Sequence, residues 1–264
     1  MTVPFKNILG VHISAINYHS CLRLIESVIT LRKKGYICVA AVHLVVECQN
    51  NPKLLDGVNK ATLVTPDGMP LVWLLKLHGC KHVERVYGPI LMLKLCSLAQ
   101  SNNWKVFLLG GSLGQGAAMI SRLALLFPKL RLVGSLDTPV KIFSKKKNGQ
   151  IINQINKHKP HVVFVGLGCP HQELWMINNH NKINANTLIG VGAAFNLLAG
   201  VEKQAHPRVQ RLGLEWLYRL CQNPRRLWYR YAIGNIHFML AILVKPLWQK
   251  LRHGLRDYSP FFDR

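Results

Sequence analysis

Short runs of consecutive apolar residues recur through the first 200 positions, and stretches with helical spacing alternate with them. Residues 36–42 (YICVAAV) are β-prone, and 43–48 lead into a helix that should end near Asn50-Asn51-Pro52. Residues 61–64 form a short apolar strand stopping at Thr65-Pro66-Asp67-Gly68. Residues 69–78 then read as a helix carrying Pro70 in its first turn, where a missing N–H is tolerated. Residues 105–109 (KVFLL) predict a buried strand ending at Gly110-Gly111, followed by a helix over 115–127 closed by Pro128. Residues 130–134 give another strand, 151–157 a helix stopped by Lys159-Pro160, and 161–165 (HVVFV) a strand ending at Gly166-Leu167-Gly168. Residues 187–191 are the last clear strand. Continuous apolar strands alternating with helices predict the α/β class: a Rossmann-like, mostly parallel sheet covered by helices.

Past residue 200 the strand signals vanish. Between Lys203 and Arg256 there are eleven Lys or Arg residues and one acid, Glu215, with Trp216, Trp228 and Trp248 interleaved. This predicts a boundary, with an α/β body over 1–200 and a basic, aromatic-rich helical appendage over 201–264. Lys145-Lys146-Lys147-Asn148-Gly149 is a separate charge run and reads as a solvated loop.

Composition narrows the function classes. At 264 residues, 49% apolar and 17% charged, the chain is long enough for one substantial core and is not disordered. Lys and Arg number 34 against 11 acids, a formal charge of +23, which points to a polyanionic partner: nucleic acid, an anionic membrane face or a phosphorylated substrate. Seven scattered cysteines with no C-x-x-C pair argue against a disulfide scaffold and for a reducing cytosol. His78, Cys80 and His82 lie close in sequence but lack the four patterned ligands of a zinc site. The first residues lack the apolar core of a secretory signal. No segment reaches the roughly 18 to 20 uninterrupted apolar residues of a spanning helix. The nearest, 232–244, carries Gly234, Asn235 and His237, and suits lying on a membrane rather than crossing it.

In open α/β sheets, ligands bind beyond the carboxyl ends of the strands. Four such ends carry Gly-rich or Gly-Pro turns, at 65–70, 110–116, 166–173 and 190–196, and together they suit a phosphorylated ligand. The 110–116 turn matches neither the dinucleotide fingerprint nor a Walker A loop. Asp67 follows a strand at this ligand-facing edge. Its carboxylate can cap the next helix, or take a proton from an attacking hydroxyl. Gln172 and Glu173, after Gly168-Cys169-Pro170, start a helix or clamp a ligand, while Cys169 reads as a small buried residue. No D-x-D pair is present to bridge a metal to a diphosphate. If a diphosphate leaves, protein cations and helix dipoles must neutralise it, and Arg219, Arg225, Arg226 and Arg230 fall in one helical region.

These residues carry a resemblance. The segments TPDGMPLVW from Thr65, ERVYGP from Glu84, FLLGG from Phe107, VGLGCPHQE from Val165, GVGAAF from Gly190, GLEWLYRL from Gly213 and PRRLW from Pro224 occur in the order found in the WecG/TagA/CpsF glycosyltransferases, which the chain resembles from about Val11 to Tyr231. The resemblance implies an inverting transfer, with neither metal nor other cofactor, of an N-acetylmannosamine-like sugar from a UDP-sugar to a polyprenyl-pyrophosphate-linked acceptor. The setting implied is the cytoplasmic face of the membrane, with an anionic lipid surface as partner and no nucleic acid. Cell-wall teichoic acid and exopolysaccharide synthesis are the processes implied. The family's base falls on Asp67, its second-motif arginine on Arg85 and its Pro-x-Gln-Glu glutamine on Gln172. Arg219 and Arg226 match arginines of the family's appendage. Thr65, Gly110, Gly111, Gly166, Gly168, Glu173 and Arg230 complete the expected substrate-binding set. A homo-oligomer with its site near a subunit interface is a further expectation.

The chain departs from the family's pattern in places. Gly-Pro-Asp-Leu-Met reads Gly88-Pro89-Ile90-Leu91-Met92, Ala-Phe-Asp reads Ala194-Phe195-Asn196, and Thr-x-Asn reads Val39-Ala40-Ala41. These losses define a rival reading, a catalytically silent member serving as scaffold in a polysaccharide assembly complex.

Overall fold

Alternation inside the apolar runs divides the core into two layers. The computed structural model describes residues 3–138, 143–228, 231 and 234–244. Strands β1 (Phe5–Ile8) and β2 (Val11–Ser14) form an antiparallel hairpin. Strands β3 (Gly35–Ala40), β4 (Leu63–Pro66), β5 (Lys105–Gly110), β6 (Arg131–Leu136), β7 (Val162–Gly166) and β8 (Thr187–Gly190) form one sheet in the order β4-β3-β8-β7-β5-β6, parallel at every pairing.

Successive side chains of a strand point to opposite faces, so Val106 and Leu108 of β5 enter one apolar layer while Phe107 and Leu109 enter the other. In β7, Val162 and Phe164 are divided from Val163 and Val165 in the same way. Helices Tyr18–Thr30, Gly88–Ser101 and Gln115–Leu126 cover the first layer, through Ile25, Leu91 and Met119 among others. Helices Val42–Asn50, Pro52–Asn59, Lys145–His158 and His171–Asn179 cover the second, through Leu44, Leu54, Ile155 and Met176. Each such aliphatic side chain contributes about 1.5–3 kcal/mol on full burial, which is why uninterrupted apolar strands end up in the middle of a three-layer stack. The open edge at β4 is covered by the hairpin: β2 lies against β4, and Ser14 Oγ accepts from Val64 N–H at 3.1 Å.

The expected α/β class, with its parallel, helix-covered sheet, is what the structure shows. One local expectation is corrected. The lysine run at 145–147 is not a loop but the exposed first turn of helix Lys145–His158, because Ser144 caps it by accepting from Lys147 N–H at 3.2 Å.

After Gly200 the described residues contain only helices: Pro207–Arg211, Glu215–Gln222, Pro224–Trp228, and a further one at 234–244. This part is tied to the rest. Phe238 is buried in the second apolar layer, and Ala241 and Ile242 pack against it. Gly213, at φ +72°, sits so close to Trp73 that a Cβ would come within 2.8 Å of the indole ring. Among the described residues no helix is long and apolar enough to cross a membrane.

Candidate active site

A parallel sheet brings the carboxyl ends of its strands to one edge, and a cavity of about 370 Å³ lies at that edge. Val39 and Ala41 at the end of β3, Asp67 and Gly68 after β4, Gly168 and Cys169 after β7, and Gly190 to Gly192 at the end of β8 form one side. Gly213, Glu215, Trp216, Arg219, Tyr231, Phe238 and Met239, all from beyond residue 200, form the other.

The backbone at Asp67 is held from two directions. Asp67 N–H donates to Ala40 C=O at 2.8 Å, and Pro66 C=O accepts from Val86 N–H at 2.9 Å. Helix Met69–Leu77 has Gly68 as its N-cap and no side-chain cap, so the Asp67 carboxylate does not perform the capping role open to it from sequence. It turns to Arg85: Oδ1 accepts from Nε at 3.2 Å and from Nη2 at 3.1 Å, and Nε also donates to the Asp67 carbonyl. Oδ2 has no hydrogen-bond partner among the described residues, and the side chain keeps 20% exposure. Burial lifts the Asp67 carboxyl above its ordinary value; Arg85 and Arg219 oppose the rise and Glu215 adds to it. A one-sided, partly solvated carboxylate with raised proton affinity is a stronger base than a free aspartate.

Arg85 is shared. Its Nη1 lies 2.7 Å from Glu215 Oε2, and its guanidinium stacks over the Tyr87 ring at 4.3 Å. Glu215 Oε1 in turn meets Arg219 Nη2 at 2.9 Å, and that nitrogen donates to Tyr87 Oη at 2.7 Å. Burial pushes the Glu215 carboxyl up, but Arg85 and Arg219 outweigh it and hold the group below the usual carboxylate range. Tyr18, whose hydroxyl accepts from Tyr87 N–H at 2.9 Å, borders the same cluster, and burial pushes its phenol up to about 12. Tyr87 and Glu215 belong to the site although neither is among the residues expected there from sequence. The available signal was Glu215's isolation, one acid in a basic segment, which suits an ion pair taken out of solvent.

The other expected site residues divide. Gln172 is buried against the cavity wall: Nε2 donates to Glu173 Oε1 at 2.7 Å, and Oε1 has no partner among the described residues. Gly168, at φ +78°, lines the cavity with open space where a Cβ would project. Glu173 is fully buried behind Gln172, and Thr65 is fully buried within β4, its hydroxyl without a partner among the described residues; neither lines the cavity. Gly110, Gly111 and Gly166 also lie outside the lining, and their small size serves packing. A Cβ on Gly110 would come within 2.6 Å of the Gly166 backbone, and one on Gly166 within 2.5 Å of Phe195. The turn after β5 carries its own anion, because Asp137 accepts from Gly114 N–H at 2.7 Å and from Gly116 N–H at 2.8 Å. Arg226 falls in helix Pro224–Trp228, while Arg230 and Trp248 lie outside the described residues. Asn196, where the family carries Asp, accepts from Gln115 Nε2 and donates to Glu202 Oε1, both at 2.9 Å; a carboxylate could not make the second bond.

Five helix starts of eight residues or more meet at or beside this cavity without a side-chain cap: Val42–Asn50, Met69–Leu77, Gly88–Ser101, His171–Asn179 and Glu215–Gln222. Uncapped N-termini leave backbone N–H groups and positive dipole ends for an anion. Among the described residues no group of three His, Cys, Asp or Glu side chains is placed to hold a metal ion.

Comparison with known proteins agrees with the resemblance read from the motifs. Residues 6–252 match the model of the Glycosyl transferase WecG/TagA/CpsF family. The chain is 30% identical over 211 residues to an N-acetylglucosaminyldiphosphoundecaprenol N-acetyl-beta-D-mannosaminyltransferase of Bacillus spizizenii, covering 80% of this chain and 79% of that protein. It is 29% identical to a protein of the same name from Bacillus subtilis, over 66% of each chain. A third, from Staphylococcus aureus, is 26% identical over 78% of this chain and 79% of its own length.

Proposed function

The chain belongs to the WecG/TagA/CpsF family of glycosyltransferases, and from that premise we propose that it moves N-acetylmannosamine, or a closely related sugar, from a UDP-sugar to a polyprenyl-diphosphate-linked N-acetylglucosamine acceptor. The observation that carries this reading is the Asp67 carboxylate: one oxygen pinned by Arg85, the other open, on the strand-end edge of a cavity. In the proposed reaction, Asp67 Oδ2 takes the proton of the acceptor hydroxyl. The acceptor's hydroxyl oxygen, freed of its proton, attacks the anomeric carbon while the bond to the UDP oxygen breaks on the opposite face, inverting the anomeric centre. Arg219 and the uncapped helix starts would neutralise the departing diphosphate by charge and backbone N–H donation.

A lipid-linked acceptor needs an enzyme at the membrane surface. Leu217, Leu240 and Leu243 are exposed on helices that form the far side of the cavity, and Leu212 and Trp228 are exposed elsewhere in the same segment, alongside its basic residues. Apolar residues interleaved with cations suit a peripheral interface, where each Lys or Arg contributes about 1 kcal/mol against anionic lipid. Attachment to the cytoplasmic face, without a spanning helix, is part of the proposal.

The test is UDP release by the full-length protein across a panel of UDP-sugars, with EDTA present, with and without a short-chain diphosphate-linked N-acetylglucosamine acceptor. Acceptor-dependent release from UDP-N-acetylmannosamine is the expected result. Measurable UDP binding with no release from any donor would sink the reading and favour the scaffold role.

A further inference from the structure

We propose that Glu215 is a positioning residue for the transfer reaction: by engaging the side of Arg85 that faces away from Asp67, it limits how far that cation neutralises the base. This rests on the reading of Asp67 as the base.

Arg85 stands between two carboxylates. Nε and Nη2 address Asp67, Nη1 addresses Glu215, and the distances show no preference for the catalytic side: 3.2 and 3.1 Å against 2.7 Å. Glu215 is drawn by two cations, Arg85 and Arg219, so its charge is held at the cluster rather than turned to solvent. Counting the four ionic groups, Asp67, Arg85, Glu215 and Arg219, the cluster is neutral with Glu215 and carries one positive charge without it. A positive remainder favours ionised Asp67 and weakens it as a base. The groups facing Asp67 from the body are Tyr18, Arg85 and Tyr87; those from beyond residue 200 are Glu215 and Arg219, with Tyr231 alongside Arg219. Glu215 is the sole carboxylate among the latter.

The experiment reads the titration of Asp67 directly. The chain has five aspartates, so ¹³C-carboxyl NMR of the full-length protein can resolve them, with Asp67→Asn identifying the resonance. Glu215→Gln should move the Asp67 midpoint to lower pH. Arg219→Gln, which removes a cation and releases Glu215 to act on Asp67, should move it to higher pH. The acid limb of kcat/KM for UDP-N-acetylmannosamine transfer should follow in the same two directions. Midpoints that stay put, or that move the same way in both variants as mere loosening of the helix would give, overturn the proposal. Opposite NMR shifts in a protein that transfers no sugar would leave the electrostatic coupling standing and defeat the functional reading instead.

Discussion

Helices that start away from the cavity and helices that start at it are built differently. Tyr18–Thr30, Pro52–Asn59 and Lys145–His158 each begin at a side chain that accepts from their own first turn: Asn17 from Ser20 N–H, Asn51 from Leu54 N–H, Ser144 from Lys147 N–H. Val42–Asn50, Met69–Leu77, Gly88–Ser101, His171–Asn179 and Glu215–Gln222 begin at Ala41, Gly68, Tyr87, Pro170 and Leu214, with no such bond. A missing cap costs about 1 kcal/mol, and less where the cap is a glycine as at Gly68, so the loss of stability is concentrated on one edge of the sheet. The difference accords with the proposed binding of a diphosphate at this edge, where backbone N–H groups lack a side-chain cap of their own. The turn after β5 makes the same point in reverse, since Asp137 already fills it.

The largest effect should come from the acid at the cavity edge. Asn is as good a helix cap as Asp, so a capping role at position 67 would not register Asp67→Asn. As the base, the same change should lower turnover by roughly 10²- to 10⁴-fold while leaving UDP affinity nearly intact, measurable by steady-state kinetics and calorimetry. Next in size is the placing of an internal anion at an open helix start. Ala41→Asp should weaken UDP binding by roughly tenfold, equivalent to about 1.4 kcal/mol, while raising the melting temperature. A variant that gained stability without losing UDP affinity would break the comparison. Smallest is the removal of an outward cap: Asn17→Ala should cost about 1 kcal/mol in denaturant unfolding and leave kcat/KM unchanged.

Much of the sheet was legible because its strands are buried on both faces and therefore apolar without interruption. The runs at β3, β5, β7 and β8 each stand out for that reason. The lysine-rich start of Lys145–His158 was not, since three lysines carry no apolar periodicity and the helix depends on Ser144. At the site, Asp67 could be found from its place after a strand, because parallel topology makes every strand end a candidate. Glu215 could not be assigned its role, since its meaning depends on meeting Arg85, which only the folded chain brings within 2.7 Å. The same applies to Gly110 and Gly166: sequence shows glycines at two turns, and only the register between β5 and β7 shows that they lie back to back.

The most direct test of Asp67 as the base is the pH dependence of kcat/KM for acceptor-dependent UDP release by the wild-type protein and Asp67→Asn. Because burial lifts the Asp67 carboxyl, activity should be present while that group is ionised and lost as pH falls through its raised midpoint, at a pH above the ordinary aspartate value of 3.8. The limb should vanish from the residual activity of Asp67→Asn. An acid limb of the same position and height in both proteins would contradict the account.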